Sequence, residues 1–158
     1  MWNLQQHSEK NLIITEEGER ISYHHFSQEV SELFYKIQKR CLVFHLCSNE
    51  IGSVVGYVCF LNNEIVPLML SSGLNQALLD ELIAVYRPDY LYLPQKDREK
   101  FPKYSVKYSK NGYLLLKTEY VSEFELHPKL ALLLATSGST GSPKLVRQSY
   151  ENILINTA

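Results

Sequence analysis

An excess of charge of either sign is missing from this chain. Its 158 residues carry 16 Lys and Arg against 17 Asp and Glu, a net charge of −1. That balance gives no electrostatic attraction toward nucleic acid or an anionic membrane. Long hydrophobic runs are missing too, since none approaches the roughly 18 residues that a membrane span requires. The opening, Met1-Trp2-Asn3-Leu4-Gln5-Gln6, has no basic stretch followed by an apolar one, so it does not read as a secretory signal. Cysteine is scarce. Cys41, Cys47 and Cys59 lie in apolar segments, odd in number and without metal-ligand spacing. They exclude a disulfide framework and predict reduced, buried thiols in a cytosolic protein. Repeats and low-complexity segments are absent.

Catalytic constellations are also lacking. His24 and His25 are adjacent on a helix and do not face one another. His45 falls inside an apolar strand and reads as a satisfied core histidine. His127 precedes Pro128 and reads as a loop residue. Glu16, Glu17 and Glu19 form a solvated turn. Nothing assembles a metal site, a triad or an acid/base pair. The eleven tyrosines are scattered and build no base-stacking platform.

What is present is the composition of a soluble globular protein, 45% hydrophobic and 21% charged. A chain of this length folded as one domain buries roughly 70% of its unfolded surface. The pattern alternates strands and helices. Leu12 to Ile14 and Arg20 to Tyr23 pair across Glu17-Gly18 as a hairpin. Ser22 caps a helix whose stripe is Phe26, Val30, Leu33 and Ile37, widened by Phe34. Cys41 to Leu46 is a nearly continuous apolar run, as in a buried parallel strand. Ser48 is placed to cap an internal helix, Asn49 to Leu61. Gly52 and Gly56, four apart, allow that helix to pack closely, and Asn62-Asn63 ends it.

Glu64 to Leu70 is the next strand, broken by Ser71-Ser72-Gly73. Leu74, Leu78, Leu82 and Tyr86 mark a further helix, with Leu79 and Ile83 on its flank. Arg87-Pro88-Asp89 stops it, and Tyr90 to Leu93 is a third strand. Three strands joined by two helices predict an α/β fold: a mostly parallel sheet with helices on both faces, plus short hairpins. Pro94 to Pro102 is polar and reads as a linker or surface excursion. Val106 to Ser109 and Tyr113 to Lys117 flank Asn111-Gly112, a strong hairpin signal. Leu130 to Ala135 is a fresh strand, and Leu145 to Gln148 can return beside it. Ser149 looks like the cap of a helix running from Tyr150 to Ala158.

Between those last two strands lies Thr136-Ser137-Gly138-Ser139-Thr140-Gly141-Ser142-Pro143-Lys144. Serine- and glycine-rich stretches are often ordinary surface loops. Here Gly138 and Gly141 let the backbone approach a ligand. Successive N–H groups in such a turn form an anion-binding concavity. Ser137, Ser139, Thr140 and Ser142 add hydroxyl donors, and Lys144 at the exit adds positive charge. The loop is not a Walker A sequence, because Lys144 follows Pro143 and precedes Leu145. Nor is it a nucleophile elbow, since no Gly-x-Ser-x-Gly occurs.

The run TSGSTGSPK, Thr136 to Lys144, resembles the phosphate-loop signature of the adenylate-forming (AMP-binding) superfamily. That superfamily includes acyl-CoA synthetases, adenylation domains of peptide synthetases and luciferases. Upstream, Leu12 to Phe26 is similar to the family's opening hairpin and first helix. Cys41 to Pro67 resembles its next strand–helix–strand, and Leu74 to Leu93 the following helix and strand. The chain departs after the loop. Many members have Gly where Leu145 stands, and Thr-His-x-Asn where Ser149-Tyr150-Glu151-Asn152 stands. In relatives that histidine position lies near the acyl pocket, so Tyr150 is expected to bear on substrate size and not on catalysis.

The resemblance implies that residues 1–158 are the incomplete N-terminal portion of an adenylate-forming large domain. Residues 1–93 hold the hairpin and strand–helix–strand units, 94–129 a linker and hairpin, and 130–158 the phosphate-loop strand and the start of a truncated helix. It implies ATP and Mg²⁺ as cofactors and a small carboxylate as substrate. Coenzyme A or a carrier-protein thiol would accept the acyl group, and neither nucleic acid nor membrane would take part. Thr136, Ser137, Gly138, Ser139, Thr140, Gly141 and Lys144 are the expected phosphate-binding residues, in a cytoplasmic ligase. Adenine recognition, the magnesium-binding acid and the late catalytic lysine are expected downstream, which leaves this chain alone inactive. Two other readings stay open: a non-catalytic phosphate-binding or interaction module, and a different phosphate-binding enzyme on a doubly wound sheet.

Overall fold

Two strands at the start, β1 (Asn11–Ile14) and β2 (Arg20–Ser22), form an antiparallel hairpin. Gly18 closes it at φ 84°, a conformation that side chains resist. The computed structural model describes residues 1–5, 7, 9–121, 125–136 and 144–156. Helix α1 (Tyr23–Phe34) follows at once, and the Ser22 hydroxyl accepts the His25 N–H at 3.1 Å, as expected of an N-cap. Phe26, Val30 and Leu33 are buried on its inner stripe, and Ile37 is buried in the turn beyond.

The main sheet takes β3 (Leu42–Cys47), β4 (Val66–Ser71), β5 (Tyr90–Pro94), β6 (Ser105–Lys110), β7 (Tyr113–Lys117), β8 (Leu130–Thr136) and β9 (Lys144–Ser149). Its spatial order is β6-β7-β5-β3-β4-β8-β9. The four inner strands β5, β3, β4 and β8 are parallel, and β7, β6 and β9 run antiparallel to their neighbours. Helices α2 (Ile51–Asn62) and α3 (Gln76–Tyr86) make the crossovers, and α4 (Tyr150–Ile155) follows β9.

Period-two alternation divides the sheet into two cores. Val43, Tyr90, Tyr92, Tyr113 and Leu115 join the side covered by α1 and α2. Leu42, Phe44, Leu46, Leu91 and Leu93 join the side covered by α3. Because both faces are covered over β3 and β5, those strands read as continuous apolar runs. Each fully buried leucine contributes about 2 kcal/mol by leaving water.

The two helical glycines act where the sequence indicates. A Cβ at Gly56 would sit 2.3 Å from the Tyr92 ring, and one at Gly52 2.6 Å from the Asn111 carbonyl oxygen. Their absence of side chain lets α2 rest on β5 and β7. The Tyr92 hydroxyl, drawn this close, donates to the Gly52 carbonyl at 2.8 Å.

Four local expectations need correction. Ser48 does not cap α2. Its N–H and hydroxyl bond the Tyr113 hydroxyl at 2.9 and 2.8 Å, and the helix starts later, with Glu50 at an N-cap lacking a side-chain bond. The inner stripe of α3 is Leu79, Leu82 and Ile83, whereas Tyr86 is exposed; Asn75 caps this helix. The stretch after β5 is an ordered 3₁₀ helix, Gln95–Lys100, and not a linker, with Asp97 buried and Arg98 donating to the Phe101 and Tyr104 carbonyls. Helix α4 ends at Ile155, with Asn156 as its C-cap.

Candidate functional site

The four parallel strands bring their carboxyl ends to one edge of the sheet. Cys47 at the end of β3 stands beside Ser71 at the end of β4. The chain then diverges: α2 leaves β3 for one face and α3 leaves β4 for the other. Divergence of this kind opens the crevice where doubly wound sheets bind ligands. Two helix N-termini, the positive ends of their dipoles, lie at that edge. The loops there are tied down. The Ser72 N–H donates to the Cys47 carbonyl at 3.0 Å, and the Gly73 N–H to the Ser71 hydroxyl at 3.2 Å. The Tyr113 hydroxyl accepts from Ser48 and donates to the Leu46 carbonyl at 2.9 Å.

Strand β8 lies beside β4, parallel to it, and so delivers its end to the same edge. Thr136 is its last residue and pairs with Lys144, the first residue of β9. The chain therefore leaves β8 at the carboxyl edge of the parallel strands and re-enters the sheet at that edge with Lys144. Ser137, Gly138, Ser139, Thr140 and Gly141, which the sequence marks as phosphate-binding, lie outside the described residues. Lys144 is exposed at the base of the turn. The structure thus places Thr136 and Lys144 side by side in one hairpin.

Position of β8 depends on a residue that carries no signal in the sequence. The Arg40 guanidinium donates to the carbonyls of Glu64, His127 and Leu130 at 2.6, 2.8 and 2.8 Å. One side chain so joins the start of β4 to the start of β8. Two buried carboxylates were equally hidden. Glu29 sits in the apolar stripe of α1 and accepts from Asn111 Nδ2 at 2.8 Å, fastening the β6–β7 turn to that helix. Asp89 is fully buried and accepts from Lys39 Nζ at 2.6 Å. Charge inside an amphipathic stripe, or beside a helix-stopping proline, has no periodicity to reveal it.

Tyr150 opens α4 and packs against Leu61, Ala131 and Leu132. Burial pushes its phenol up, and the nearby Arg40 guanidinium pulls it down. Arg40 Nε and the Tyr150 hydroxyl nonetheless do not meet in a hydrogen bond. His45 is only half satisfied: Nε2 bonds the Ser53 hydroxyl at 3.1 Å, while the buried Nδ1 has no partner among the described residues. Burial lowers its pKa to about 3, so the ring is neutral. All three cysteines are free, and burial raises Cys41 and Cys59 to about 12 and Cys47 to about 11. Burial thus favours the protonated thiol at each. No group of three or more His, Cys, Asp or Glu among the described residues could hold a metal ion. Among them, too, no helix is long and apolar enough to cross a membrane. What converges at this edge, among the described residues, is the ends of four parallel strands, two helix N-termini and Lys144.

No protein-family model matches the chain, and no curated protein sequence matches it. Solved structures do. Apo MatB from Rhodopseudomonas palustris matches over 95% of this chain and 34% of its own, at 20% identity and a TM-score of 0.70. The O-succinylbenzoate coenzyme A synthetase MenE from Bacillus subtilis, solved with AMP, matches over 97% of this chain and 42% of its own, at 16% identity and a TM-score of 0.66. The N-terminal subdomain of NpsA from Klebsiella oxytoca matches over 92% of this chain and 39% of its own, at 18% identity and a TM-score of 0.61. The chain spans about two-fifths or less of the length of these structures. Its fold is the one these structures share over the matched part: a mixed sheet with central parallel strands and helices on both faces.

Proposed function

We propose that this chain provides the phosphate-binding strand and loop of an ATP-dependent, carboxylate-activating ligase. One observation carries the reading. The TSGSTGSPK segment begins at Thr136, the last residue of β8, and ends at Lys144, the first of β9, and β8 ends at the carboxyl edge of four parallel strands. The fold supports it, since structures of the same architecture were solved with ATP, as for R. palustris MatB, and with AMP, as for B. subtilis MenE.

In the proposed reaction a carboxylate oxygen attacks the α-phosphorus of ATP. The bond from that phosphorus to the bridging oxygen of the β-phosphate breaks. Pyrophosphate leaves and an acyl-adenylate remains, which a thiol of coenzyme A or a carrier protein then takes up. The departing pyrophosphate gains negative charge. Donors held in place before the reaction stabilise that charge without reorganising. Backbone N–H groups and hydroxyls of Thr136, Ser137, Gly138, Ser139, Thr140 and Gly141 are assigned that task, and Lys144 neutralises charge. Magnesium would supply further neutralisation, and no described residue is assigned to it. Tyr150, enclosed beside Leu132, is assigned to the size of the acyl pocket and not to catalysis. The free thiols, two of them buried, suit a reducing, cytoplasmic compartment.

Taken alone, these 158 residues are proposed to bind phosphate weakly and to leave ATP intact. The test is carboxylate-dependent ATP–pyrophosphate exchange by the product of the complete reading frame, with Lys144→Ala and Thr140→Val beside it. Exchange that drops at least roughly tenfold in both variants, the size expected for losing a charge-stabilising donor, is the expected result. Absence of exchange across a broad panel of acids would overturn the ligase reading in favour of a non-catalytic phosphate module. Turnover of ATP by the isolated chain would overturn its assignment as inactive.

A further inference from the structure

Met69 on β4, Leu134 on β8 and Val146 on β9 stand opposite one another. Residues two apart on a strand share one side of the sheet. Carried two residues toward the carboxyl edge, this register brings Ser71, the last residue of β4, opposite Thr136, the last of β8. Thr136 pairs in turn with Lys144, and Ser71 with Cys47 on β3. The row at that edge therefore runs Cys47, Ser71, Thr136, Lys144. Ser71 and Lys144 lie on one side of the sheet, one strand to either side of Thr136. Neighbouring strands are about 4.8 Å apart, so an anion seated at Thr136 has a hydroxyl on one flank and an ammonium group on the other.

The hydrogen bonds of this row single out one donor. The backbone of the turn after β4 is already used. The Ser72 N–H donates to the Cys47 carbonyl at 3.0 Å, the Gly73 N–H to the Ser71 hydroxyl at 3.2 Å and the Leu74 N–H to the Ser71 carbonyl at 3.0 Å. The Cys47 thiol donates to the His45 carbonyl at 3.4 Å. Ser71 differs. It is exposed, its oxygen accepts one bond, and no acceptor among the described residues receives its hydrogen. A hydroxyl in that state can donate to an anion without giving up a bond it already makes.

We propose that the Ser71 hydroxyl is a further polyphosphate-binding group, donating a hydrogen bond to a phosphate oxygen from the β4 flank while Lys144 acts from the β9 flank. The inference rests on the phosphate-binding reading of residues 136–144. It adds to that reading a donor from a strand outside the TSGSTGSPK segment, with no motif of its own.

The test titrates inorganic tripolyphosphate into the whole ¹⁵N-labelled 158-residue chain and follows the amide shifts. Ser71→Ala should weaken binding at least roughly tenfold, the size of one hydrogen bond to a charged group. Ser71→Thr, which keeps the hydroxyl, should bind within about threefold of the parent chain. Ser71→Asp keeps an acceptor for the Gly73 N–H and replaces the donor with a negative charge, so it should bind more weakly than Ser71→Ala. Because Ser71 is exposed, the amide spectra of these variants without ligand should match the parent outside the turn. Binding that is weakened by Lys144→Ala but not by Ser71→Ala would overturn this inference and leave the phosphate-binding reading standing. An equal loss in Ser71→Thr and Ser71→Ala, or parent-like binding by Ser71→Asp, would make the serine a structural part of the turn and overturn the inference as well. No binding by the parent chain would overturn both.

Discussion

Leu91 on β5 has no contact with water, whereas Leu134 on β8 keeps 38% of its surface exposed. Both are leucines on parallel strands of one sheet, with β3 and β4 between them. The row that contains His45, Tyr92 and Leu115 lies under α1 and α2, and all three are fully buried. Its continuation through Met69, Leu134 and Val146 has no comparable cover. Stability is therefore concentrated in β5, β3 and β7 with their helices. The strands that carry the proposed ligand loop rest at the margin of that core. Binding segments drawn from the less stable side of a fold are expected on general grounds.

Substitutions can break this contrast. The largest effect is expected at Gly56→Ala. The new methyl would lie 2.3 Å from a Tyr92 ring that is itself fully buried, so neither partner can yield. Overpacking should cost about 3 kcal/mol, read as a lower denaturation midpoint with unchanged slope. An unfolding curve identical to the parent chain would show that α2 does not rest on Tyr92 as described.

Arg40→Ala acts at the junction of the two regions. It removes the bonds that hold the starts of β4 and β8 together, at a cost of about 2 kcal/mol for lost charge-assisted hydrogen bonds. Hydrogen exchange should accelerate in β8 and β9 and hardly change in β5. Uniform acceleration across the sheet would erase the distinction drawn here.

His45 adds a pH dependence to the covered region. Burial between Phe60, Tyr92 and Tyr113 depresses its pKa to about 3, against about 6.5 in the unfolded chain. The unfolded state thus binds the extra proton first. Stability contributed by the neutral ring is present above pH ~6.5 and is lost as pH falls below it, by about 1.4 kcal/mol per pH unit. Above the range where carboxylates titrate, His45→Gln should flatten this slope. A slope that survives the substitution would place the titration elsewhere.

Leu134→Ala should have the smallest effect, below about 1 kcal/mol, since much of the side chain is already in water. A loss comparable to that of a core leucine would mean that β8 is covered as β5 is.

Much of the covered region was legible in the sequence because its elements obey one period each. The α1 stripe Phe26, Val30 and Leu33, the Ser22 cap, the Asn111-Gly112 turn and the spacing of Gly52 and Gly56 all follow from local rules. Asn111 and Gly112 both adopt positive φ, as such a hairpin demands. What was hidden is non-local. Nothing near Ser48 announces that Tyr113, 65 residues on, takes its hydroxyl. Nothing in Tyr113 to Lys117 announces that this strand joins β5 in the main sheet. The α3 stripe was misplaced because six apolar residues compete for one face and tertiary contact chooses among them. At the candidate site, the strand and the return strand were legible from the apolar run Leu130 to Ala135 and from Leu145 to Gln148. The clamp by Arg40 was not, because an arginine donating to three distant carbonyls leaves no pattern.

The central claim, that the β8–β9 turn binds polyphosphate, is tested most directly by titrating inorganic tripolyphosphate into the ¹⁵N-labelled chain. The account predicts saturable, salt-sensitive shifts confined to residues 136–144 and the neighbouring Ser71-Ser72-Gly73 turn, weakened at least roughly tenfold by Lys144→Ala, as for loss of about 1.4 kcal/mol of charge interaction. Shifts absent from that segment, or unchanged in Lys144→Ala, would contradict it.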